Sequence, residues 1–512
     1  MFSTVLSATL RGLSVEFVHV EVDISNGLPM FHMVGYLSSE VKEAGERVRT
    51  AIRNSGMILP AKKIVINLSP ADIRKKGTIF DLPIAIAILA SLCQIEERML
   101  KDILMIGELS LDGSVKRVSG VLPIVLEAKK RGCRFCIVPK ENEKEASLVE
   151  EIEIIGASDL NEVCSILSGK TSYKKMKKET DFIRQDIEHK LNYADIRGQR
   201  LAKRCAEIAV AGNHNMLMIG PPGVGKSLIA RCLPTILPPL TREESIELTM
   251  IYSIMGELNL DSPLIKERPF REVHHSITKS ALIGGGRVPK PGEISLAHKG
   301  VLFLDEIGEF HKPVLELLRQ PLETHKIRIL RERGIYEFPA EFLLIAATNP
   351  CPCGNYPDLN RCICTPSQVQ SYLGKISQPL LDRIDLCIEL ERLKYDELCL
   401  GEQEENSAEI QKRVLRAREI QKERYKGLDI QTNSQLSAKD VGEYCILGNR
   451  EEQMMRQAFD KLELSIRKYH KILTVARTIA DLEEKEKIEM SHLREALSYR
   501  TVNVNHIGGE RS

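Results

Sequence analysis

One stretch of the sequence has the residue types and spacing of a phosphate-binding loop. It fits the pattern G-x-x-x-x-G-K-S, follows the apolar run from Met216 to Ile219, and precedes a helical pattern. Glycines let backbone N–H groups close around phosphates, a lysine reaches the β- and γ-phosphates, and a serine hydroxyl binds Mg²⁺. A glycine-rich turn without a ligand is the alternative. We predict that ATP is bound by Gly220, Pro221, Pro222, Gly223, Val224, Gly225, Lys226 and Ser227, with Ser227 also on Mg²⁺.

Polar residues also follow two other apolar runs that read as buried strands. Asp305 and Glu306 follow Val301 to Leu304, and Asn349 follows Phe342 to Thr348. In these positions Asp305 would hold Mg²⁺, Glu306 would polarise the attacking water, and the Asn349 amide would orient that water. Because an asparagine before a proline is also common in ordinary turns, the role of Asn349 depends on the other two motifs. Together the three motifs predict ATP hydrolysis.

Four of the 13 cysteines are close together, at Cys351, Cys353, Cys362 and Cys364. Four thiolates can bind a tetrahedral structural Zn²⁺, and a metal so close after Asn349 would stiffen the loop that carries this residue. Reduced cysteines in a loop, or a redox pair, are the alternatives. We predict zinc here and ordinary thiols at the nine scattered cysteines.

Strand and helix patterns alternate around these residues. Between residues 193 and 400, short apolar strands are followed by helical patterns, which predicts a parallel sheet with helices on both faces. The first 167 residues also mix the two: strands are predicted over 18–24 and 63–68, and helices over 41–52 and 81–92. Residues 401–512 show only helical spacing, which predicts a helical domain.

A polar, lysine-rich segment, residues 168–192, joins the first two regions. It is either a solvated linker or a basic tether for nucleic acid. Acidic residues are interspersed and aromatic residues are few, which favours the linker.

The overall composition excludes several classes of protein. The chain has 512 residues, which predicts about three domains of about 150 residues each. With 72 basic and 71 acidic residues and 43% hydrophobic residues, it is neither a disordered tail, a collagen-like repeat nor a basic chromatin protein. The longest apolar run, residues 82–92, is too short to cross a bilayer, and we expect no signal peptide. The odd number of scattered cysteines favours a reducing compartment, so we expect a cytoplasmic location.

Several motifs in order along the chain resemble those of a known family. They are Asp195 to Gln199, the phosphate-binding loop, Gly292 to His298, the strand before Asp305, Ala347 to Pro350 and Leu380 to Asp385. This combination is similar to the magnesium-chelatase-like AAA+ ATPases, specifically the YifB/ComM family. The resemblance implies a P-loop AAA+ core at 193–400, an N-terminal Lon-like domain at 1–167 and a C-terminal helical lid at 401–512.

The same resemblance implies roles for further residues. Ile196 and Gly198 look like part of the segment that packs on the adenine of ATP. Arg383 looks like an arginine finger offered to the ATP of a neighbouring subunit, and Arg477 looks like a second sensor of the γ-phosphate. Surface ion pairs are the alternative for both arginines.

Members of this branch carry two hairpins that face the pore of the ring. The candidates here are residues 271–290, with glycines 284–286 at the tip, and residues 326–339. Basic side chains bind backbone phosphates without reading sequence, so DNA contacts are expected from Lys279, Arg287, Arg331 and Arg333. Solvated hairpins that only support the ATPase site are the alternative. A basic helix within 412–426 could likewise bind nucleic acid or simply face solvent, and its charge pattern favours a solvated face.

The N-terminal region resembles the proteolytic domain of Lon through residues 106–113, 120–123 and 138–142. Lon uses a serine nucleophile with a lysine base. Here Asp81 is the nearest equivalent of the serine, and the lysine position falls near Leu122, so we expect no peptidase activity. Thr78, Ser119 and Lys116 are nearby but do not replace the pair.

These expectations combine into one functional hypothesis and two alternatives. We expect a homo-hexameric, Mg²⁺-dependent ATPase that moves on single-stranded or branched DNA, as in branch migration during recombination or natural transformation. An ATP-driven protein remodeller or chelatase-like chaperone is the first alternative. An ATP-gated scaffold without catalysis is the second, and the intact Asp305, Glu306 and Arg383 disfavour it.

Overall fold

The computed structural model describes residues 1–173, 191–286, 289–331, 334–392 and 404–499. Most of the expected segment 168–192, together with Arg287 and Arg333, lies outside these residues. Within the described part of the chain, no helix is both long enough and apolar enough to span a membrane.

The N-terminal region is built on a seven-stranded mixed sheet. Its strands are β1 (Phe2–Arg11), β2 (Ser14–Ser25), β3 (Met30–Val34), β4 (Lys63–Ser69), β5 (Ile103–Met105), β8 (Phe135–Pro139) and β9 (Glu153–Ala157), with β6 (Glu108–Leu109) and β7 (Val115–Lys116) as a separate pair. Its helices are α1 (Ser39–Asn54), α2 (Asp81–Ser91), α3 (Val121–Lys130), α4 (Glu143–Ala146) and α5 (Leu160–Leu167). The strand order is β3-β4-β2-β1-β5-β8-β9. All four elements predicted here are present, and helix α2 is buried along its whole length, as its uniformly apolar sequence requires.

The central region is a five-stranded, wholly parallel sheet. Its strands are β10 (Met216–Ile219), β11 (Phe270–Val273), β14 (Val301–Leu304), β17 (Leu343–Thr348) and β18 (Leu386–Glu389), in the order β11-β14-β17-β10-β18. Its helices are α6 (Arg200–Gly212), α7 (Lys226–Cys232), α8 (Arg242–Met255), α9 (Lys279–Ile283), α10 (Glu293–Leu296), α11 (Lys312–Leu315), α12 (Arg319–Thr324), α13 (Pro366–Leu373) and α14 (Gln378–Leu381). Two small hairpins pair β12 (Gly284–Gly285) with β13 (Lys290–Pro291), and β15 (Lys326–Arg331) with β16 (Gly334–Pro339).

Side chains alternate between the two faces of this sheet. Along β14, Val301 and Phe303 belong to one buried cluster, whereas Leu302 and Leu304 belong to another. Each cluster is completed by helices on its own side of the sheet, which confirms the predicted P-loop core with helices on both faces. Since the strands are parallel, their carboxyl ends lie along one edge.

The C-terminal region is helical in its described residues. Its helices are α15 (Ser407–Arg424), α16 (Ala438–Tyr444), α17 (Asn449–Lys461), α18 (Ile466–Leu482) and α19 (Met490–Ser498). Helices α15 and α18 pack on α6 of the central region, and their apolar residues share its core. Helix α18 lies at the amino end of the parallel sheet: Thr478 is 2.7 Å from His214, which precedes β10, and Lys471 pairs at 2.7 Å with Asp385, which precedes β18.

Candidate ATPase site

The loop between β10 and α7 is shaped by two glycines. Gly223 and Gly225 have φ angles of 82° and 94°, which side chains other than glycine rarely adopt. A Cβ on either glycine would meet no atom within 4 Å, so the loop borders open space. The loop therefore has the room and the backbone conformation of a phosphate cradle.

The Lys226 ammonium lies inside this loop. It donates hydrogen bonds to the carbonyl oxygens of Gly220 and Pro221, the latter at 3.0 Å, and to Asn349 Oδ1 at 3.0 Å. Burial lowers the pKa of Lys226, while the carboxylates of Asp305 and Glu306 raise it. The structure thus brings Lys226 and Asn349 together from two neighbouring strands, at the edge where both strands end.

Ser227 and Asp305 are also brought together. The Ser227 hydroxyl donates to Asp305 Oδ2 at 2.6 Å, and Asp305 Oδ1 accepts the backbone N–H of Glu306 at 3.0 Å. Glu306 has a φ of 52°, an unfavourable conformation of the kind that clusters at functional sites. A hydroxyl and a carboxylate oxygen this close are suitable ligands for Mg²⁺.

The segment expected at the adenine lies beside the phosphate loop. Ile196 is buried, and the Gly198 N–H donates to Glu404 at 2.8 Å. The Gln199 side chain donates to the carbonyl oxygens of Val224, at 3.4 Å, and Glu391, at 2.9 Å. These bonds connect the segment to the phosphate loop and to Glu391, two residues after the end of β18.

Arg383 lies at the opposite edge of the sheet from the phosphate loop. Its carbonyl oxygen accepts from Asn215, which precedes β10, at 3.0 Å. Its guanidinium donates to the Pro379 carbonyl and forms an ion pair with Glu323, and its Nε is buried without a partner. Arg383 is therefore not placed to reach ATP in its own subunit.

Arg477 is held inside the helical region. Its guanidinium bonds to Asp481 at 3.1 Å and to the backbone carbonyl oxygens of Lys485 and Glu486, and the residue is only 2% exposed. Because α18 packs at the amino end of the sheet, the structure does not bring Arg477 to the phosphate loop, in contrast to the expected second sensor. Its described contacts stabilise the helical region.

The two predicted hairpins lie next to each other. If Gly285, in strand β12 of the first hairpin, carried a Cβ, that atom would lie 3.8 Å from Arg331 Nη2 on the second hairpin. Arg331 and Lys279 are both exposed. The first hairpin is shorter than predicted, because Arg271 belongs to β11 in the central sheet and pairs with Glu293 at 2.6 Å.

The second hairpin also touches the N-terminal region. Arg11, at the end of β1, lies 6.0 Å from the ring centre of Tyr336 and packs against Gly334, where a Cβ would collide with its guanidinium. Leu13 packs on the apolar cluster beneath β15 and β16. This contact could not be expected from the sequence, since no local pattern links residues more than 300 positions apart.

The four predicted cysteines form one cluster. Their sulfur atoms all lie within 4.8 Å of one another, and three of the pairs are 3.4, 3.6 and 3.7 Å apart: Cys351–Cys353, Cys353–Cys362 and Cys351–Cys362. Two sulfurs of a tetrahedral site with 2.3 Å metal bonds lie about 3.8 Å apart. Backbone N–H groups of Asn355 and Ile363 lower the pKa of Cys353 to about 6. The cluster could therefore hold a metal ion.

Three family descriptions match three successive parts of the chain. The family described as "Magnesium chelatase, subunit ChlI" matches residues 192–398, "Subunit ChlI of Mg-chelatase" matches 20–142, and "Magnesium chelatase, subunit ChlI C-terminal" matches 404–500. The competence protein ComM of Haemophilus influenzae is 43% identical over 505 residues, which cover 97% of each chain. The protein YifB of Escherichia coli K12 is 42% identical over 505 residues, covering 98% of this chain and 97% of its own.

The chain belongs to the YifB/ComM family. Its core is that of a magnesium-chelatase-like AAA+ protein, which supports an ATPase-type function. The order of the motifs predicted this family.

The N-terminal region of this YifB/ComM protein is Lon-like. Lon protease 2 of Bacillus subtilis is 28% identical over 193 residues, which cover 31% of this chain and 33% of that protease. At the expected serine position, the buried Asp81 accepts two hydrogen bonds from Arg47, at 2.8 and 3.0 Å. Leu122, near the expected lysine position, is fully buried, and its N–H donates to Glu145 at 3.0 Å. Thr78 donates to Glu108, and the Ser119 hydroxyl lies against Gly256 of the central region.

We predict that Arg47→Ala destabilises the Lon-like region by about 3 kcal/mol at pH 8, because it leaves a buried carboxylate without its cation. Burial already raises the pKa of Asp81 to about 6 despite Arg47, so the folded state takes up a proton more readily than the unfolded state. Without Arg47 the pKa of Asp81 rises further, so the variant protonates this carboxyl at a higher pH than the wild type. The loss should therefore shrink as the pH falls from 8 towards 6 and be small below 6. Urea unfolding at several pH values measures this loss of stability, with Arg53→Ala, an exposed arginine on the same helix, as control. An equal loss at pH 8 and pH 5.5 would contradict this electrostatic explanation.

Three arginines of the basic helix α15 contact the rest of the protein, whereas Lys412, Arg416 and Lys422 are exposed, as expected for a solvated face. Arg413 pairs with Glu207 and Glu405, Arg424 with Asp481, and Arg418 donates to the Val210 carbonyl at 2.7 Å. These arginines tie α15 to the central region and to α18. A nucleic-acid surface on this helix is not favoured by these contacts.

Proposed function

We propose that this chain is a Mg²⁺-dependent ATP hydrolase that assembles into a ring and moves on DNA. The observation that carries the proposal is the hydrogen-bonded set at one edge of the sheet: Lys226 with Asn349, and Ser227 with Asp305. We further propose three units, at 1–167, 193–400 and 401–512, joined by the segment 168–192, with no peptidase activity in the first.

In this proposal each residue of the set has one task. Lys226 binds the β- and γ-phosphates, and Ser227 and Asp305 hold Mg²⁺, which neutralises phosphate charge when bound. The Glu306 carboxylate polarises the attacking water, and the Asn349 amide orients it. Ile196 and Gly198 contact the adenine. These roles require the residues to meet where strands β10, β14 and β17 end, and the contacts above support that arrangement.

The proposed ring rests on the position of Arg383. Its backbone is bonded at the amino edge of the sheet, whereas ATP would bind at the carboxyl edge, so this arginine is suited to the ATP of a neighbouring subunit. Members of the AAA+ family typically oligomerise. We propose a homo-hexamer, in which six copies of each hairpin concentrate positive charge in one pore.

DNA is the proposed substrate because the two hairpins adjoin and basic residues are exposed on and beside them: Arg331 in β15, and Lys279 in helix α9 just before β12. Arg287 and Arg333 are proposed as further contacts. The name of the Haemophilus relative, competence protein ComM, supports natural transformation as the process, and we propose branch migration as the step within it. A protein remodeller is the alternative.

We predict that the double variant Lys279→Ala/Arg331→Ala binds branched DNA more weakly and with a smaller salt dependence. The slope of log Kd against log salt should fall by about one for each phosphate that the variant no longer neutralises. Fluorescence anisotropy at several salt concentrations measures both effects, and Arg98→Ala, on the surface of the Lon-like region, is the control. Unchanged affinity and slope would count against the hairpins as the DNA-binding surface.

We also propose that the four-cysteine cluster binds zinc, because four thiolates at tetrahedral spacing select this ion over Mg²⁺ or Ca²⁺. All cysteines in the described residues are free of disulfides, which such a site requires. A reducing compartment, proposed to be the cytoplasm, would keep them so.

A further inference from the structure

The four-cysteine cluster belongs to a small core of its own. Among the described residues, four buried side chains form its centre: Cys351, Val369, Tyr372 and Leu373. The other three cysteines and Tyr356 pack around them, separate from the two large clusters on the faces of the sheet. So small an apolar core contributes little stability, and a bound metal is the usual way to fold such a unit.

This small core touches the ATP site on three sides. Asn349, which bonds to Lys226, is only two residues before Cys351. Gly354, between the cysteine pairs, packs on the phosphate loop so closely that a Cβ there would lie 2.5 Å from Pro222 Cδ. The Tyr372 ring covers Gly308, three residues after Asp305, where a Cβ would lie 2.7 Å from Tyr372 Cζ. Asn349 is joined to this core by the chain itself, and the other two contacts bring a glycine backbone against a side chain with no room for a Cβ. A shift of this core must therefore move the loops that it touches.

We propose that the metal held by the four cysteines fixes the conformation of the ATP site, so that losing the metal weakens ATP binding. This inference rests on the proposed ATPase function. A tetrahedral ion holds Cys351 and Cys353 to Cys362 and Cys364, and thereby sets where Asn349 and Gly354 lie. Without the ion, four thiols and the three other buried side chains of this core do not define that position. Pro222 then loses its support, and Asn349 no longer meets Lys226.

Two variants separate the effect of the metal from that of the packing against Pro222. Cys362→Ser removes one metal ligand, and Gly354→Ala keeps all four ligands but forces the loop away from Pro222, at a φ of 76° that also strains alanine. Cys93→Ser, an exposed cysteine in the Lon-like region, is the matched control. Zinc per chain is measured by elemental analysis of purified protein, and ATP affinity by titration with a fluorescent ATP analogue.

We expect about one zinc per chain in the wild type and in Gly354→Ala, and little in Cys362→Ser. Both variants should bind ATP about tenfold more weakly or worse, because small displacements of positioned groups have large effects. Cys93→Ser should match the wild type in both measurements. Absence of zinc from the wild type, or wild-type ATP affinity in zinc-free Cys362→Ser, would overturn this inference alone. A wild type that binds no ATP would overturn the proposed function as well.

Discussion

Lys226→Ala is expected to lose ATP binding by about 100-fold or more. Lys226 is 8% exposed, and its ammonium is directed into the loop by the carbonyl oxygens of Gly220 and Pro221. Truncating one partner of a buried charge pair costs about 2–5 kcal/mol, and about 2.7 kcal/mol corresponds to 100-fold in affinity. Equilibrium titration with a fluorescent ATP analogue measures the loss.

Two variants make this result specific. Lys101→Ala removes an exposed lysine from the Lon-like region and should bind ATP like the wild type. Glu306→Gln keeps the phosphate loop intact and should bind ATP while hydrolysing it far more slowly. If Lys226→Ala bound ATP with wild-type affinity, the assignment of this loop as the phosphate-binding site would be wrong.

The second large effect is expected from mixing subunits. Arg383→Ala should bind ATP but hydrolyse it slowly, because a trans-acting guanidinium contributes about 10³–10⁵ in rate to related reactions. When Arg383→Ala subunits are added to wild-type subunits, each variant subunit also silences its neighbour's site. The rate per wild-type subunit should therefore fall as the variant fraction rises, which steady-state hydrolysis of mixtures measures.

The Arg98→Ala protein, mixed in the same proportions, controls for exchange and dilution. A rate per wild-type subunit that stays constant across all Arg383→Ala mixtures would show that the arginine does not act across a subunit interface. The proposed ring would then lose its main support.

The contacts among Lys226, Ser227, Asp305 and Asn349 could be expected from the sequence because they follow from sheet topology. Apolar runs marked the ends of three strands, and parallel strands place the residues after them at one edge. Local spacing was enough for the phosphate loop as well, since its glycines occupy the positions that need positive φ. The cysteine cluster was likewise anticipated from its short spacing.

The position of Arg477 could not be predicted from the sequence. Helical periodicity identified its helix, but not the end of the sheet against which that helix packs. The packing at the amino end is set by contacts between distant parts of the chain, which involve His214, Asp385 and Lys471. Helix α15 is similar: its charge pattern suggested solvent exposure, and only the tertiary structure shows Arg413 and Arg424 facing buried acids.

ATP-driven movement on DNA is tested most simply by the steady-state rate of ATP hydrolysis with Mg²⁺, measured without DNA and with single-stranded, double-stranded and branched DNA over a range of salt concentrations. We predict a Mg²⁺-dependent rate that DNA increases, with single-stranded or branched forms most effective, and a stimulation that declines steeply as salt weakens phosphate contacts. A rate unaffected by every DNA at low salt would rule out DNA as the substrate and favour a protein remodeller.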